Sequence, residues 1–404
     1  MAITVEPTTA DVAARPEPAK ASQPSPLNPD KLRVSLSSEL KPLPTRAEDM
    51  VWGKSVTDHM LVIEHDPVNG WKDPEIRPYG PLSLDPSSSC FHYCPCVFEG
   101  MKAYLGPDGE PRLFRPELNL ARLLRSAKRA TLPEFDPDAL LTLLKRLIAV
   151  EARWIPGKPC FSLYIRPTII GTRPSIGVAP TDDYGMIYII LNPSAPFFLP
   201  GVGKPLSFLA VEDRVRAWPG GTGAYKMGGN YAPAFESQKE ANARGYDQNL
   251  WLIGENRQIC EAGLMNFMVV RKREDGDVDL MTPELDGTIL PGVTRQSILE
   301  LADAHTQGRT TLPGLSPTLK IHTHECLITM FEVRQWNADG SLLEVLACGT
   351  ASIVVPLARI GFEGEDVVFK KYEDGYGPVG KALWQRLVDI QEGRFEWEGW
   401  SVPC

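Results

Sequence analysis

One lysine in this chain stands in an unusual setting. Gly220-Gly221-Thr222-Gly223-Ala224-Tyr225-Lys226-Met227-Gly228-Gly229-Asn230-Tyr231 places an amine between two glycine pairs and a further glycine, so the backbone can bend tightly and come close to a ligand without Cβ clashes. Lysine amines form Schiff bases with carbonyl groups, and partial desolvation lowers their pKa and frees the lone pair for that chemistry. Nucleotide readings of the same glycines fail on spacing. After Gly221-Thr222-Gly223 the next required glycine falls on Lys226, and no Gly-Lys-Ser/Thr follows for a phosphate loop. A lone loop lysine is ordinarily a solvated surface residue, so the case for chemistry rests on the elements around it.

Upstream, His59-Met60-Leu61-Val62-Ile63-Glu64, Pro81-Leu82-Ser83-Leu84, Ser89-Cys90-Phe91-His92-Tyr93 and Cys96-Val97-Phe98-Glu99-Gly100-Met101-Lys102-Ala103-Tyr104 read as short strands of a meander. Tyr93 and Phe98 are either core rings or the walls of a cavity. Pro116 opens a helix with an apolar stripe of Leu120, Leu123, Leu124 and Ala127, and Arg122, Arg125, Lys128 and Arg129 lie outside it on the surface. Asp136 caps a second helix, which buries Leu140, Leu141, Leu144, Leu147 and Ile148. Strands return at 161–166 and 185–191. Residues 1–45, rich in Pro, Ala, Ser and Glu, read as a disordered tail, and 46–192 as a small α+β domain. The proline density of 193–201 marks an interdomain linker, and 202–404 reads as a larger α/β domain carrying the lysine.

Downstream, a helix is expected over 232–244, ended by Gly245. Asn249-Leu250-Trp251-Leu252-Ile253 and Gln258-Ile259-Cys260-Glu261 form a hairpin about Gly254-Glu255-Asn256. Pro291-Gly292-Val293-Thr294-Arg295 opens a helix whose first N–H groups and dipole could hold a phosphate. Cys348-Gly349-Thr350-Ala351-Ser352 is a small-residue turn with further N–H and hydroxyl donors.

A length of 404 residues with 43% hydrophobic and 23% charged composition can bury one large core or two ordinary ones. The formal net charge of −9 argues against nucleic acid as principal partner. No apolar run approaches the roughly 18 residues that span a bilayer, so no membrane partner is expected. The eight cysteines lack Cys-x-x-Cys spacing and read as reduced intracellular thiols. Glu6, Asp11 and Glu17 interrupt the N-terminal stretch in a way a mitochondrial presequence would not, which favours the cytoplasm.

Six segments, met in order over roughly residues 55–400, resemble the branched-chain amino-acid aminotransferases, pyridoxal-phosphate enzymes of fold type IV (D-amino-acid aminotransferase-like). They are Phe98-Glu99-Gly100-Met101-Lys102-Ala103-Tyr104, Tyr164-Ile165-Arg166-Pro167, Tyr225-Lys226-Met227-Gly228-Gly229-Asn230-Tyr231, Glu261-Ala262-Gly263-Leu264-Met265-Asn266, Leu290-Pro291-Gly292-Val293-Thr294-Arg295 and Gly349-Thr350-Ala351. The resemblance implies that Lys226 joins the aldehyde of pyridoxal 5'-phosphate and carries the proton between substrate and cofactor carbons. It implies that Glu261 pairs with the pyridine nitrogen and Tyr231 with the phenolic oxygen. Arg122, the amides of Val293 and Thr294, and Thr350 would hold the phosphate. Tyr93, Phe98, Tyr164, Arg166, Thr350 and Ala351 would surround the substrate, with Arg166 and Tyr93 receiving the distal carboxylate of glutamate. The implied reaction exchanges an amino group between Leu, Ile or Val and 2-oxoglutarate in a homodimer whose partners are otherwise small amino acids and 2-oxo acids.

Without the resemblance, Glu261 is a solvated hairpin carboxylate and Arg122 one basic residue of an amphipathic helix. His322, His324 and Glu325 read as a solvated surface run in an irregular region after Pro317, and no metal site is expected. Leu264 stands where many relatives have threonine, and Ser352 and Val355 replace a Cys-x-x-Cys pair, which argues against a thiol switch there. Two other readings stay open: an aminotransferase for an unusual branched or aromatic 2-oxo acid, and a catalytically silent relative that binds a partner.

Overall fold

The structure, a computed structural model, describes residues 25–199 and 201–404; the expected tail over 1–24 lies outside them. Two sheets carry the architecture. The first contains β1 (Arg33–Val34), β2 (His59–Asp66), β3 (Gly70–Trp71), β4 (Glu75–Pro78), β5 (Cys96–Phe98), β6 (Met101–Leu105), β7 (Pro111–Phe114), β8 (Ser162–Gly171) and β9 (Gly185–Ser194). The second contains β10 (Leu206–Val211), β11 (Gln248–Ile253), β12 (Gln258–Ala262), β13 (Asn266–Lys272), β14 (Val278–Pro283), β15 (Ile321–Cys326), β16 (Leu342–Gly349), β17 (Ile353–Phe362) and β18 (Glu365–Val368). The last strand, β19 (Ser401–Pro403), returns to the first sheet and pairs with β7. Strand orders are β1-β4-β2-β9-β8-β6-β7-β19 and β12-β11-β10-β17-β16-β13-β14-β15, with β3 on β2, β5 on β8 and β18 on β17.

Helices α2 (Pro116–Arg129) and α3 (Pro137–Val150) cover the first sheet, meeting β2, β6, β8 and β9 in a core that includes Leu61, Ile165, Ile189, Leu123, Leu144 and Leu147. Asp136 caps α3 by accepting from the Asp138 amide at 2.9 Å, and Pro137 takes a first-turn position where no N–H is needed. Around the second sheet lie α4 (Phe235–Ala243), α5 (Val293–Thr306), α6 (Met330–Ala338) and α7 (Pro378–Gln391), with Ile298, Leu301, Leu383 and Leu387 fully or almost fully buried against Phe267 and Val354.

Several expectations change. Residues 25–45 are tied to the first sheet at several points: β1 runs parallel to β4, Leu27 is buried, and the Ser37 amide donates to His59 Nε2 at 2.8 Å. Ser89–Tyr93 is a short helix, α1, because the chain turns at Cys94 in the left-handed region (φ 54°) rather than continuing extended. Pro193 and Ser194, assigned to the linker, still pair with β8 as the end of β9. The stretch holding His322, His324 and Glu325 is strand β15, parallel to β14, where the two histidine rings meet Asp277 and Asp279 and Glu325 meets Arg295.

Candidate active site

The lysine loop is stitched between the two sheets. The Phe98 amide donates to the Lys226 carbonyl at 3.1 Å, Val97 and Met227 form a bridge, and the Lys226 amide donates to Ser126 Oγ at 3.1 Å. From the other side the Ala224 amide donates to the Gly287 carbonyl. Asn230 clamps the turn through the Thr222 and Tyr225 carbonyls at 2.8 and 2.9 Å. Gly223 is required here because a Cβ would stand 2.4 Å from the Thr288 carbonyl oxygen. These bonds hold the half-buried Lys226 with its Nζ 3.3 Å from the Tyr231 hydroxyl and 4.9 Å from the centre of the Phe98 ring.

Lys226 and Tyr231 open on a cleft lined also by Arg122, Glu261, Val293, Thr294 and Thr350. Residues far apart in sequence thus share a wall with the amine. Glu261 is buried, accepts from the Leu290 amide at 2.6 Å and faces Arg216 Nε at 3.0 Å. Burial pushes its carboxyl above the usual range, only partly offset by Arg216 and the Leu290 N–H. Such a carboxylate gains most from a cation placed beside it. At the start of α5, Gly292 sits at the cap position with no side chain capping the helix, so the amides of Val293 and Thr294, two residues of the cleft wall, are unclaimed by a cap. A Cβ on Gly292 would fall 2.0 Å from Asn266 Oδ1.

Arg122 does not lie on the surface. Asn119, Arg122 and Ser126, spaced three and four apart on α2, form a buried polar stripe. Arg122 donates through Nε and Nη2 to Glu99 at 2.6 and 2.9 Å and through Nη1 to the Pro291 carbonyl at 2.8 Å. Glu99 is fully buried and also accepts from Asn119 Nδ2 at 2.9 Å.

On the opposite side of the amine, Phe98 and Tyr231 stand 5.0 Å apart between ring centres, and Arg166 lies 4.9 Å above Phe98 while donating to the Tyr164 hydroxyl at 3.1 Å. Gly100 makes room for that hydroxyl, which a Cβ would approach to 2.0 Å. Ala351 follows Thr350 in the turn and its carbonyl accepts from Lys102 Nζ. Tyr93 is not brought to this group: it is half exposed and its hydroxyl donates to the Ile176 carbonyl. Glu99, Arg216 and Trp52, whose ring meets Tyr164 at 4.5 Å, were not assigned from the sequence. Glu99 sits inside a segment already singled out, and the period of Asn119, Arg122 and Ser126 points to its partner; Arg216 and Trp52 carry no local signal.

Residues 96–315 match the amino-transferase class IV family. The chain is 42% identical over 382 residues to the mitochondrial branched-chain-amino-acid aminotransferase of Schizosaccharomyces pombe, spanning 94% of this chain and 86% of that protein. It is 42% identical over 380 residues to the cytosolic branched-chain-amino-acid aminotransferase of Saccharomyces cerevisiae, spanning 93% and 97%. Its fold is similar to that of the branched-chain aminotransferase from the archaeon Thermoproteus uzoniensis solved with norvaline, with a TM-score of 0.66 at 24% identity over 85% of this chain and 99% of that one. With most of its cleft inside the matched region and near-full-length relatives at 40% and 42% identity, the chain belongs to the class IV aminotransferase family.

Proposed function

We propose that this protein exchanges an amino group reversibly between Leu, Ile or Val and 2-oxoglutarate, with pyridoxal 5'-phosphate as cofactor. The observation that carries the reading is the convergence of the Lys226 amine, the buried Glu261 carboxylate and the uncapped first turn of α5 on one cleft. These three match the aldehyde, ring nitrogen and phosphate of that cofactor in chemistry, and the glycines at 223 and 292 let the lysine loop pack on the Thr288 carbonyl and the start of α5 on Asn266. When bound, the cofactor supplies an aldehyde for the amine and a ring that takes up the electrons of a broken Cα–H bond.

The residues do the rest. Lys226 would hold the cofactor aldehyde through its amine and serve as the base that moves the substrate proton, with the Tyr231 hydroxyl 3.3 Å away to steady its charge. Glu261, positioned by Arg216 and the Leu290 amide, would keep a proton on the ring nitrogen. Val293, Thr294 and Thr350, with Arg122 beside them in the cleft wall, would hold the phosphate. Phe98, Tyr164 and Trp52 give an aromatic wall that rewards aliphatic side chains at about 25 cal/mol per Å² of apolar surface buried. Arg166, seated within that wall, receives the second carboxylate of glutamate, which would otherwise be buried unpaired. Ala351 borders the same turn as Thr350.

A homodimer fits the exposed apolar side chains Phe91, Tyr93, Ile176 and Val178 around α1 and the 174–178 loop, which a subunit contact would cover. Tyr93 enters the substrate site in this reading only through such a contact. Among the described residues no helix is long and apolar enough to cross a membrane.

Purified protein is expected to convert 3-methyl-2-oxobutanoate, 4-methyl-2-oxopentanoate and 3-methyl-2-oxopentanoate with glutamate as donor, measured beside a panel of bulkier and aromatic 2-oxo acids. Failure on all three branched acids would sink the substrate assignment. Gly100→Ala should displace the Tyr164 hydroxyl and, through it, Arg166. A 1 Å misplacement can cost about 10²-fold, so the glutamate half-reaction should lose most of its kcat/KM while the leucine half-reaction loses less; equal losses would exclude Arg166 as the carboxylate receiver.

A further inference from the structure

Lys102 on β6 is almost wholly buried, 5% exposed, and its Nζ has one hydrogen-bond partner, the Ala351 carbonyl at 2.8 Å. It lines a small void whose far wall is Val293, Thr294 and Thr350, the residues that also line the Lys226 cleft. Among the described residues no carboxylate pairs with it. The two buried acids of the site are already matched, Glu99 by Arg122 and Glu261 by Arg216. Both guanidinium groups therefore face an acid of their own, and a phosphate dianion at the start of α5 would find little uncompensated positive charge in them. Lys102 is the buried cation left over, with two N–H bonds unspent.

We propose that Lys102 is a positioning residue for the cofactor phosphate: its ammonium anchors the Thr350–Ala351 turn through the Ala351 carbonyl and supplies, from behind that turn, the positive charge that balances the phosphate. The inference rests on the reading that Val293, Thr294 and Thr350 hold the phosphate. Burial pushes the Lys102 amine down to about 8, with the Cys160 thiol working weakly the other way. The other titratable groups facing it are Tyr104 on its own strand and Tyr164, its cross-strand neighbour on β8. Asn119 from α2, Thr294 from α5, Gln391 from α7 and Thr350 from the turn do not titrate. Lys102 is thus charged at neutral pH and loses its charge as pH rises through about 8, in a range where a phosphate monoester is already a dianion.

The test uses the cofactor-free protein with two probes that form no bond to Lys226, pyridoxamine and pyridoxamine 5'-phosphate, titrated by fluorescence. Lys102→Met should weaken pyridoxamine 5'-phosphate at least tenfold and leave pyridoxamine within about twofold. Wild-type affinity for the phosphorylated probe alone should fall between pH 7 and 9, a readout that needs no variant. A purely structural hydrogen bond to Ala351 predicts instead equal loss for both probes, which overturns the proposal, as does a flat pH dependence. Thr350→Val separates the two readings. Loss of phosphate preference in that variant but not in Lys102→Met defeats the Lys102 role alone, and its retention in both removes the phosphate cradle as well.

Discussion

Lys226→Ala is expected to lower the transamination rate by at least about 10⁴-fold, since it removes both the nucleophile and the base from one site. That factor corresponds to roughly 5.5 kcal/mol of barrier at 1.36 kcal/mol per decade. The residue is half-buried and its backbone, which carries the bonds to Phe98 and Ser126, survives the change, so folding should be spared. Circular dichroism and a thermal scan should match wild type, and pyridoxamine 5'-phosphate should still bind. The absorbance of the lysine-bound cofactor should vanish and external methylamine should restore part of the rate. Activity within tenfold of wild type would remove Lys226 from the chemistry and with it the assignment of the cleft.

What could be read in advance of the structure was whatever is local. Lys226, Tyr231 and Glu261 lie in short segments whose glycines and turns fix their own geometry, and the starts of α3 and α5 announce themselves through Asp136-Pro137 and Pro291-Gly292. The partners of these residues were harder, because the salt bridge between Glu261 and Arg216 joins a strand to a distant loop and that between Glu99 and Arg122 joins the end of a strand to a helix. Arg122 reads as a surface residue because it falls outside the apolar stripe of its helix, yet Asn119 and Ser126 at helical spacing mark a polar stripe that something has to satisfy. Strand β15 escaped because it is the edge of its sheet, where polar residues on an exposed face blur the alternation of a strand. Three residues of β19 are too few for any periodicity, and their place beside β7 depends on contacts across most of the chain.

The Glu99–Arg122 pair should be a highly sensitive ionic contact, both side chains being buried. Burial alone would push Glu99 up, but the charge and hydrogen bonds of Arg122, with Lys226 and Asn119 adding to them, hold it below the usual carboxylate range. Arg122 shifts upward, burial being outweighed by Glu99, so both directions favour the ionised pair. A carboxyl depressed on folding adds stability that is present above its unfolded pKa of about 4.3 and is lost as pH falls through the folded value. Wild type should therefore lose stability steeply on the acid side, and Glu99→Gln should flatten that part of the profile. At pH 7 the same variant leaves a buried guanidinium without its counter-charge, a loss of about 3–5 kcal/mol, readable as a lower urea midpoint of the cofactor-free protein. Replacing both residues, Glu99→Met with Arg122→Met, should recover much of that stability while leaving cofactor affinity impaired, because the bond from Arg122 to the Pro291 carbonyl at the head of α5 is gone. A double variant no more stable than the single one would mean that the stripe of Asn119, Arg122 and Ser126 is held by packing rather than by charge.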